Sequence, residues 1–145
     1  QKILKIPTCF THRDFQSRNL MVKENNLYLI DFQDALIGPH VYDLVALLRD
    51  SYISLNESEI KSLINYYASL KKIDAENLQE EFDLVTIQRK LKDAGRFVYI
   101  DQVKGNASFL PFISGSLSYV RSALERLPEH TPLLEILQPY VPEWS

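Results

Sequence analysis

The pattern of hydrophobic and polar positions changes after about forty residues. Before that point, short apolar runs such as Leu20–Val22 and Leu27–Ile30 are separated by polar residues, which predicts short strands joined by turns. Between these two runs stands Asn25-Asn26, and asparagine tolerates the positive φ of a tight turn. The pattern therefore predicts a β-hairpin over residues 20–31, after which Gly38-Pro39 is expected to break the chain.

From residue 41 the apolar positions recur with the 3.6-residue period of helices. Asn56 followed by Glu59 has the spacing of a capping box, and Gly105 suits the end of a long helix that contains Gly95. The predicted helices cover residues 41–52, about 56–70, 75–103, 109–127 and a short segment after Thr131-Pro132. The predicted fold class is mainly α, with loops and a small β-hairpin in residues 1–40 and a helical subdomain in residues 41–145.

Composition places the chain among ordinary globular domains, with 145 residues, 46% hydrophobic and 24% charged. The net charge is -3 and no run of five like charges occurs, which argues against a nucleic-acid or anionic-membrane partner. No apolar stretch reaches the roughly 20 residues that span a bilayer, and no signal peptide opens the sequence. The expected location is the cytoplasm.

Cys9 is the only cysteine, so no disulfide within the chain and no cysteine-based zinc site can form. Because Cys9 stands in an apolar run between Thr8 and Phe10, it is predicted to be a small buried hydrophobic residue.

Candidate chemistry is concentrated in the first forty residues. The segment His12-Arg13-Asp14 is followed by Asn19, five residues after Asp14, and by Asp31, twelve residues after Asn19. A hairpin brings its two ends together, so Asn19 and Asp31 are expected to be neighbours.

These residue types meet the needs of phosphoryl transfer. Mg²⁺ neutralises charge on the phosphates and prefers oxygen ligands, which Asn19 and Asp31 can supply. Asp14 can accept the proton of the attacking hydroxyl group. The order of base, amide and metal-binding carboxylate is that of the kinase catalytic loop, so the sequence predicts an ATP-dependent and Mg²⁺-dependent kinase that acts on a hydroxyl group.

The segment resembles the C-terminal lobe of the aminoglycoside phosphotransferase and choline kinase superfamily, most strongly over residues 8–50. The resemblance implies that Asp14 is the catalytic base, that Asn19 and Asp31 hold magnesium and that Asp43 braces the loop by hydrogen bonding. It also implies a supporting position for His12 beneath this loop. Arg13 is interpreted either as a charge partner of Asp14 or as a loop anchor.

A narrower resemblance is to bacterial anomeric kinases of N-acetylmuramate and N-acetylglucosamine, which serve cell-wall recycling. It rests on Ile30–Ala35, Gly38-Pro39, Tyr42–Val45, Leu47–Asp50, Gln88–Lys92, Gly95–Phe97, Tyr119 and Leu127–Glu129. The resemblance implies that the acceptor is the anomeric hydroxyl group of an N-acetylated amino sugar. Gln33 stands where protein kinases have a glycine.

Five residues are candidates for contact with the substrate: Gln33, Asp34, Arg18, Arg89 and Arg96. A carboxylate beside the metal can bind a sugar hydroxyl group, but Asp34 can equally cap a turn. Arg18 can bind an acidic group or form a surface salt bridge. Arg89 and Arg96 are two helical turns apart and are expected to share one helix face.

A kinase of this kind also needs an N-terminal lobe with a phosphate-covering loop. The four glycines, at positions 38, 95, 105 and 115, are not clustered, and only eleven residues precede His12. The chain is therefore expected to be a C-terminal lobe without its N-terminal lobe, and inactive alone. Two alternatives stay open: a kinase of an aminoglycoside, choline or homoserine, and a non-catalytic binding module or pseudokinase remnant. The intact Asp14, Asn19 and Asp31 favour an enzyme.

Overall fold

The computed structural model describes residues 2–144 and is mainly helical. Its helices are α1 (Tyr42–Leu48), α2 (Glu57–Lys71), α3 (Ala75–Lys104), α4 (Phe112–Glu125) and α5 (Thr131–Leu137). Its strands are β1 (Thr8–Thr11), β2 (Leu20–Lys23), β3 (Asn26–Leu29) and β4 (Leu36–Pro39). The predicted mainly-α class with a small β region is confirmed. Among residues 2–144, no helix is both long and apolar enough to cross a lipid bilayer.

The strands form two separate antiparallel pairs, β2 with β3 and β1 with β4. The first pair is the predicted hairpin, with Leu20 opposite Leu29 and Lys23 opposite Asn26. Its turn lies one residue earlier than predicted, because the two residues with positive φ are Glu24 at 50° and Asn25 at 61°. Two consecutive residues with positive φ are what a two-residue hairpin turn requires.

The pairing of β1 with β4 corrects two predictions. Gly38-Pro39 does not break the chain but ends β4, where Gly38 lies opposite Cys9 and Pro39 opposite Thr8. Proline is tolerated there because β4 pairs on one side only and the next N–H, that of His40, binds the Pro7 carbonyl oxygen at 2.9 Å, so the nitrogen of Pro39 faces away from β1. Cys9 is exposed, since every residue of β1 except Thr11 is exposed in this two-stranded sheet.

Contacts between Cα atoms divide the chain into two compact units, one up to Val85 and one from Thr86. In the first unit, three helices supply one hydrophobic core. Besides Ile6, which precedes β1, its members include Val41, Val45 and Leu48 around α1, Ile60 and Ile64 of α2, and Leu78, Phe82 and Val85 of α3. The helix α1 is shorter than the predicted helix over residues 41–52, because it ends at Leu48.

The predicted ends of two helices are confirmed. Asn56 caps α2, because its side chain accepts a hydrogen bond from the Glu59 N–H at 2.9 Å while Glu59 Oε2 accepts one from the Asn56 N–H at 2.9 Å. This is the capping box expected from the sequence. At the end of α3, Gly105 has φ of 63° and donates its N–H to the Asp101 carbonyl oxygen at 2.9 Å.

The second unit has its own packed aromatic cluster. The ring of Phe97 stacks on that of Phe109 with centroids 5.6 Å apart, and it lies 6.2 Å from the ring of Phe112. The helix α4 is shorter than the predicted segment 109–127, because Ala107–Phe109 forms a separate 3-10 turn before it. Val120, Ala123 and Leu124 are the hydrophobic residues of α4 that are buried.

Candidate active site

The segment between β1 and β2, here called the 12–19 loop, is held at its start by one carboxylate. Asp43, in the first turn of α1, accepts hydrogen bonds from the His12 N–H at 2.7 Å and the Arg13 N–H at 2.9 Å. Arg13 has φ of 74°, a left-handed conformation that is uncommon for a residue with a side chain. Hydrogen bonds to an ionised acceptor are stronger than neutral ones, so Asp43 offsets the strain at Arg13.

His12 is buried beneath this loop, with 5% of its surface exposed. Its Nε2 lies 3.0 Å from the Ile30 carbonyl oxygen. Because a carbonyl oxygen can only accept, Nε2 is the nitrogen that carries the proton. Nδ1 is buried and has no hydrogen-bond partner among residues 2–144. His12 therefore links the 12–19 loop to the residue before Asp31.

Asn19 joins the loop to the hairpin through its side chain and its backbone. Its Nδ2 donates to the Asp14 carbonyl oxygen at 2.8 Å. Its own carbonyl oxygen accepts the Ile30 N–H at 3.1 Å, which continues the hairpin pairing one step beyond Leu20 and Leu29. Ile30 is therefore the backbone partner of Asn19, and Asp31 is the next residue after Ile30. Asn19 and Asp31 are thus neighbours, as the hairpin predicts.

Asp31, the residue after Ile30, is exposed. It has φ of 68°, and aspartate is one of the few residue types other than glycine that adopt this conformation readily. Its Oδ1 accepts a hydrogen bond from Gln33 Nε2 at 2.7 Å. Arg13 Nη1 donates to the Asp34 carbonyl oxygen at 3.2 Å. Residues 31–34 are thus tied both to each other and to the 12–19 loop.

The oxygens of Asn19 and Asp31 are chemically suited to Mg²⁺. The amide nitrogen of Asn19 is occupied by Asp14, so the amide oxygen is the atom that remains for a cation. Within residues 2–144, no group of three or more His, Cys, Asp or Glu side chains could hold a metal ion. A set of one carboxylate and one amide fits Mg²⁺, which usually takes its other ligands from phosphate and water.

The other candidate residues occupy different environments. Arg18 is exposed, and its guanidinium group lies 3.4 Å from the centre of the Tyr52 ring. The side chains of Gln33 and Asp34 are exposed. In the second unit, Arg89 is 5% exposed, with its Nε 3.9 Å from an oxygen of Asp93, whereas Arg96 is exposed. Arg89 and Arg96 therefore differ in burial although their spacing puts them on one helix face.

One buried carboxylate near the loop was not singled out from the sequence. Asp50 is 3% exposed and accepts the Ser17 N–H at 2.7 Å and the Tyr52 N–H at 2.8 Å. The available sequence signal was its position seven residues after Asp43, close to two turns along α1. This spacing alone does not indicate a contact with a loop 33 residues earlier.

A loop that carries a carboxylate and an amide, followed across one hairpin by a second carboxylate, is typical of phosphotransferases. A profile of the phosphotransferase enzyme family (APH) matches residues 2–80, more than half of the chain. The chain belongs to this family, and the resemblance found in the sequence is confirmed.

Three curated relatives share the name N-acetylmuramate/N-acetylglucosamine kinase. The protein of Pseudomonas aeruginosa is 36% identical over 141 residues, which cover 92% of this chain and 42% of the relative. That of Neisseria meningitidis serogroup B is 36% identical over 142 residues, with coverages of 93% and 42%. That of Pseudomonas putida is 30% identical over 138 residues, with coverages of 90% and 41%. The chain spans about two fifths of the length of these relatives.

Proposed function

We propose that this chain supplies the catalytic base and the magnesium ligands of a kinase that transfers the γ-phosphate of ATP to the anomeric hydroxyl group of an N-acetylated amino sugar. The proposal rests on the two hydrogen bonds by which Asn19 joins the 12–19 loop to the hairpin. The Asn19 side chain binds the Asp14 carbonyl oxygen at 2.8 Å and its backbone binds Ile30, the residue before Asp31, at 3.1 Å. The proposed base and both proposed metal ligands are therefore connected through one residue.

In the proposed reaction, Asp14 orients the acceptor hydroxyl group and takes its proton as the oxygen attacks the γ-phosphorus. The new bond joins that oxygen to phosphorus, the bond from phosphorus to the bridging oxygen of ADP breaks, and ADP leaves. Magnesium, when bound, neutralises the phosphate charge. Asn19 and Asp31 would hold it, and the hydrogen bond from Gln33 at 2.7 Å orients the Asp31 carboxylate.

The choice of acceptor rests on the three relatives, which are named as kinases of N-acetylmuramate and N-acetylglucosamine. Asp34 and Gln33 follow Asp31 on an exposed segment, where a carboxylate and an amide can hydrogen-bond to sugar hydroxyl groups. Arg18 remains a proposed contact for an anionic substrate group, since it is exposed beside the 12–19 loop with its guanidinium group on the Tyr52 ring.

The proposal includes further polypeptide that covers the small sheets and holds the ATP phosphates. Each sheet exposes a directly paired set of large apolar side chains. In one sheet these are Phe10 and Ile37, which are 70% and 66% exposed, and in the other they are Val22 and Leu27, which are 75% and 65% exposed. Exposed apolar surface of this kind is typical of an interaction site. We expect the 145 residues alone to release little ADP.

The test is ADP release by the longest natural polypeptide that contains this segment, with Mg-ATP and a panel of N-acetylated amino sugars, aminoglycosides, choline and homoserine. We expect release with the N-acetylated amino sugars and its loss in Asp14→Asn. Asp101→Asn on α3 is the matched control, since it makes the same chemical change in the second unit.

Each outcome has a distinct meaning. Release with another alcohol would keep the phosphotransferase mechanism and replace the substrate. Release that persists in Asp14→Asn would remove Asp14 as the base. The absence of release with every acceptor would favour a binding module. Strong release by residues 1–145 alone would contradict the requirement for further polypeptide.

A further inference from the structure

The buried carboxylate of Asp50 connects the 12–19 loop with the segment that follows α1. Asp50 lies just beyond the end of α1 and is 3% exposed. One of its oxygens accepts the Ser17 N–H at 2.7 Å, and the other accepts the Tyr52 N–H at 2.8 Å. Each oxygen therefore has a backbone donor, and one of those donors belongs to the 12–19 loop.

The backbone at Asp50 is held in place by the residue before it. The side chain of the preceding residue, Arg49, is fully buried and binds Glu57 at the start of α2, with Nη1 2.6 Å from Oε1 and Nη2 3.2 Å from Oε2. Its guanidinium group also lies 5.6 Å from the centre of the Phe82 ring. A two-point contact of this kind restricts the arginine in orientation as well as in distance. The backbone at Asp50 is consequently anchored to the helical core.

The path from Asp50 to the proposed metal site is short. Ser17 is the first residue of the 3-10 turn Ser17–Asn19, which is closed by the Asn19 N–H donating to the Gln16 carbonyl oxygen at 2.9 Å. Fixing the Ser17 N–H therefore fixes the start of the single turn that ends at Asn19. Arg18 is the middle residue of this turn, and its guanidinium group packs on Tyr52, 3.4 Å from the ring centre.

We propose that Asp50 is a positioning residue that sets the orientation of Asn19 toward the metal, acting through the Ser17 N–H. The inference rests on the proposed function, because Asn19 is a magnesium ligand only under that proposal. Residues that orient a metal ligand without touching the metal typically change metal affinity or activity about 10- to 100-fold when they are altered. Asp50 is such a residue for Asn19, because it binds the backbone of the turn that ends at Asn19 and is not itself a proposed metal ligand.

The first experiment replaces Asp50 by asparagine in the longest natural polypeptide that contains the segment. Asparagine keeps the size of the side chain but offers one acceptor to two N–H donors, so one bond is lost. We expect faster amide hydrogen exchange at residues 15–19 in the metal-free protein, with exchange in α2 unchanged. We also expect the dissociation constant of Mn²⁺ from the ADP complex, measured by electron paramagnetic resonance, to rise at least about tenfold.

A second pair of variants changes the same contact on the side of the 12–19 loop. These variants test whether the contact positions Asn19 even if Asp50→Asn does not fold. Ser17→Pro removes the N–H that Asp50 accepts, whereas Ser17→Ala keeps it. Proline suits the first position of a turn, and the preceding Gln16 already has the extended conformation that proline favours, with φ of -131° and ψ of 164°. We expect Ser17→Pro to weaken Mn²⁺ binding at least about tenfold and Ser17→Ala to leave it unchanged.

The inference is wrong if the folded variants Asp50→Asn or Ser17→Pro bind Mn²⁺ as tightly as the parent protein, whatever happens to the melting temperature. It is also wrong if Ser17→Ala weakens binding as much as Ser17→Pro. Asp14→Asn separates this result from the proposed function, because it should abolish ADP release while leaving exchange at residues 15–19 unchanged. Continued release in Asp14→Asn would count against the proposed function alone, since the exchange and Mn²⁺ measurements do not depend on turnover.

Discussion

Asp43 and Asp50, at the two ends of α1, both accept hydrogen bonds from the backbone of the same loop. Asp43 binds the N–H groups of His12 and Arg13 at 2.7 and 2.9 Å, and Asp50 binds that of Ser17 at 2.7 Å. Asp43 stands in the first turn of α1 and Asp50 two residues after its last residue, and the helix between them buries Val45, Ala46 and Leu48. A single short helix therefore fixes both halves of the loop that carries Asp14 and Asn19.

The Asp43 contact predicts a loss of both stability and activity in Asp43→Asn. Asparagine has one side-chain acceptor for the two N–H donors, and its own NH₂ group would face the other donor. Bonds to charged acceptors contribute about 1.5–3 kcal/mol, so we expect the free energy of unfolding to fall by about 1–3 kcal/mol. Urea denaturation measures this, and ADP release should fall in parallel because the left-handed conformation of Arg13 loses its support. Unchanged values for both would contradict the bracing role, with Asp101→Asn as control.

The proposed metal site predicts a specific effect of Asp31→Asn. This change removes the only carboxylate proposed to bind magnesium. We expect the dissociation constant of Mn²⁺ from the ADP complex to rise by more than the roughly tenfold change that a supporting residue causes. Asp34→Asn is the matched control for metal binding, because it neutralises a carboxylate three residues away on the same exposed segment. Equal Mn²⁺ affinities in the two variants would exclude Asp31 as the ligand.

The elements that the sequence predicted well are those set by neighbouring residues. The capping box of Asn56 and Glu59 depends on residues three positions apart, and the hairpin of β2 and β3 is closed by a local turn at Glu24 and Asn25. In both cases the interacting groups fall within one short window of sequence. The spacing of Asn19 and Asp31 is informative for the same reason, since these residues flank the two ends of that hairpin, and Asp14 stands five residues before Asn19 in the adjoining loop.

The elements that the sequence did not predict depend on distant residues. The pairing of β1 with β4 joins Phe10 to Ile37, and the contact from Ser17 to Asp50 spans 33 residues. The local sequence around either residue of such a pair does not indicate which residue it contacts, because tertiary packing decides which segments meet. The burial of Arg49 is a further example, since an arginine is rarely fully buried unless it is paired, and its partner Glu57 lies on the next helix.

Gln33 offers a prediction that separates two roles. In the sequence it is a candidate substrate contact, whereas in the structure its Nε2 binds Asp31 Oδ1 at 2.7 Å. If the contact with Asp31 is its main role, Gln33→Ala should raise the half-saturating Mg²⁺ concentration and change the KM for the amino sugar little. Steady-state ADP release at varied Mg²⁺ and varied sugar measures both constants. A raised KM for the sugar with unchanged Mg²⁺ dependence would instead assign Gln33 to the substrate.

Tyr67 predicts a change of stability with pH. Burial raises the pKa of its hydroxyl group above the ordinary value of 10.0, and the nearby Cys9 and Asp43 raise it further. Because the folded state holds this proton more tightly than the unfolded state, the contribution is complete below about pH 10 and is lost as the pH rises through the folded pKa. The free energy of unfolding should therefore fall more steeply above about pH 10 in the parent protein than in Tyr67→Phe, as measured by urea denaturation at increasing pH. Tyr66→Phe, at a residue that is 62% exposed, should follow the parent curve, and parallel curves for all three proteins would contradict the prediction.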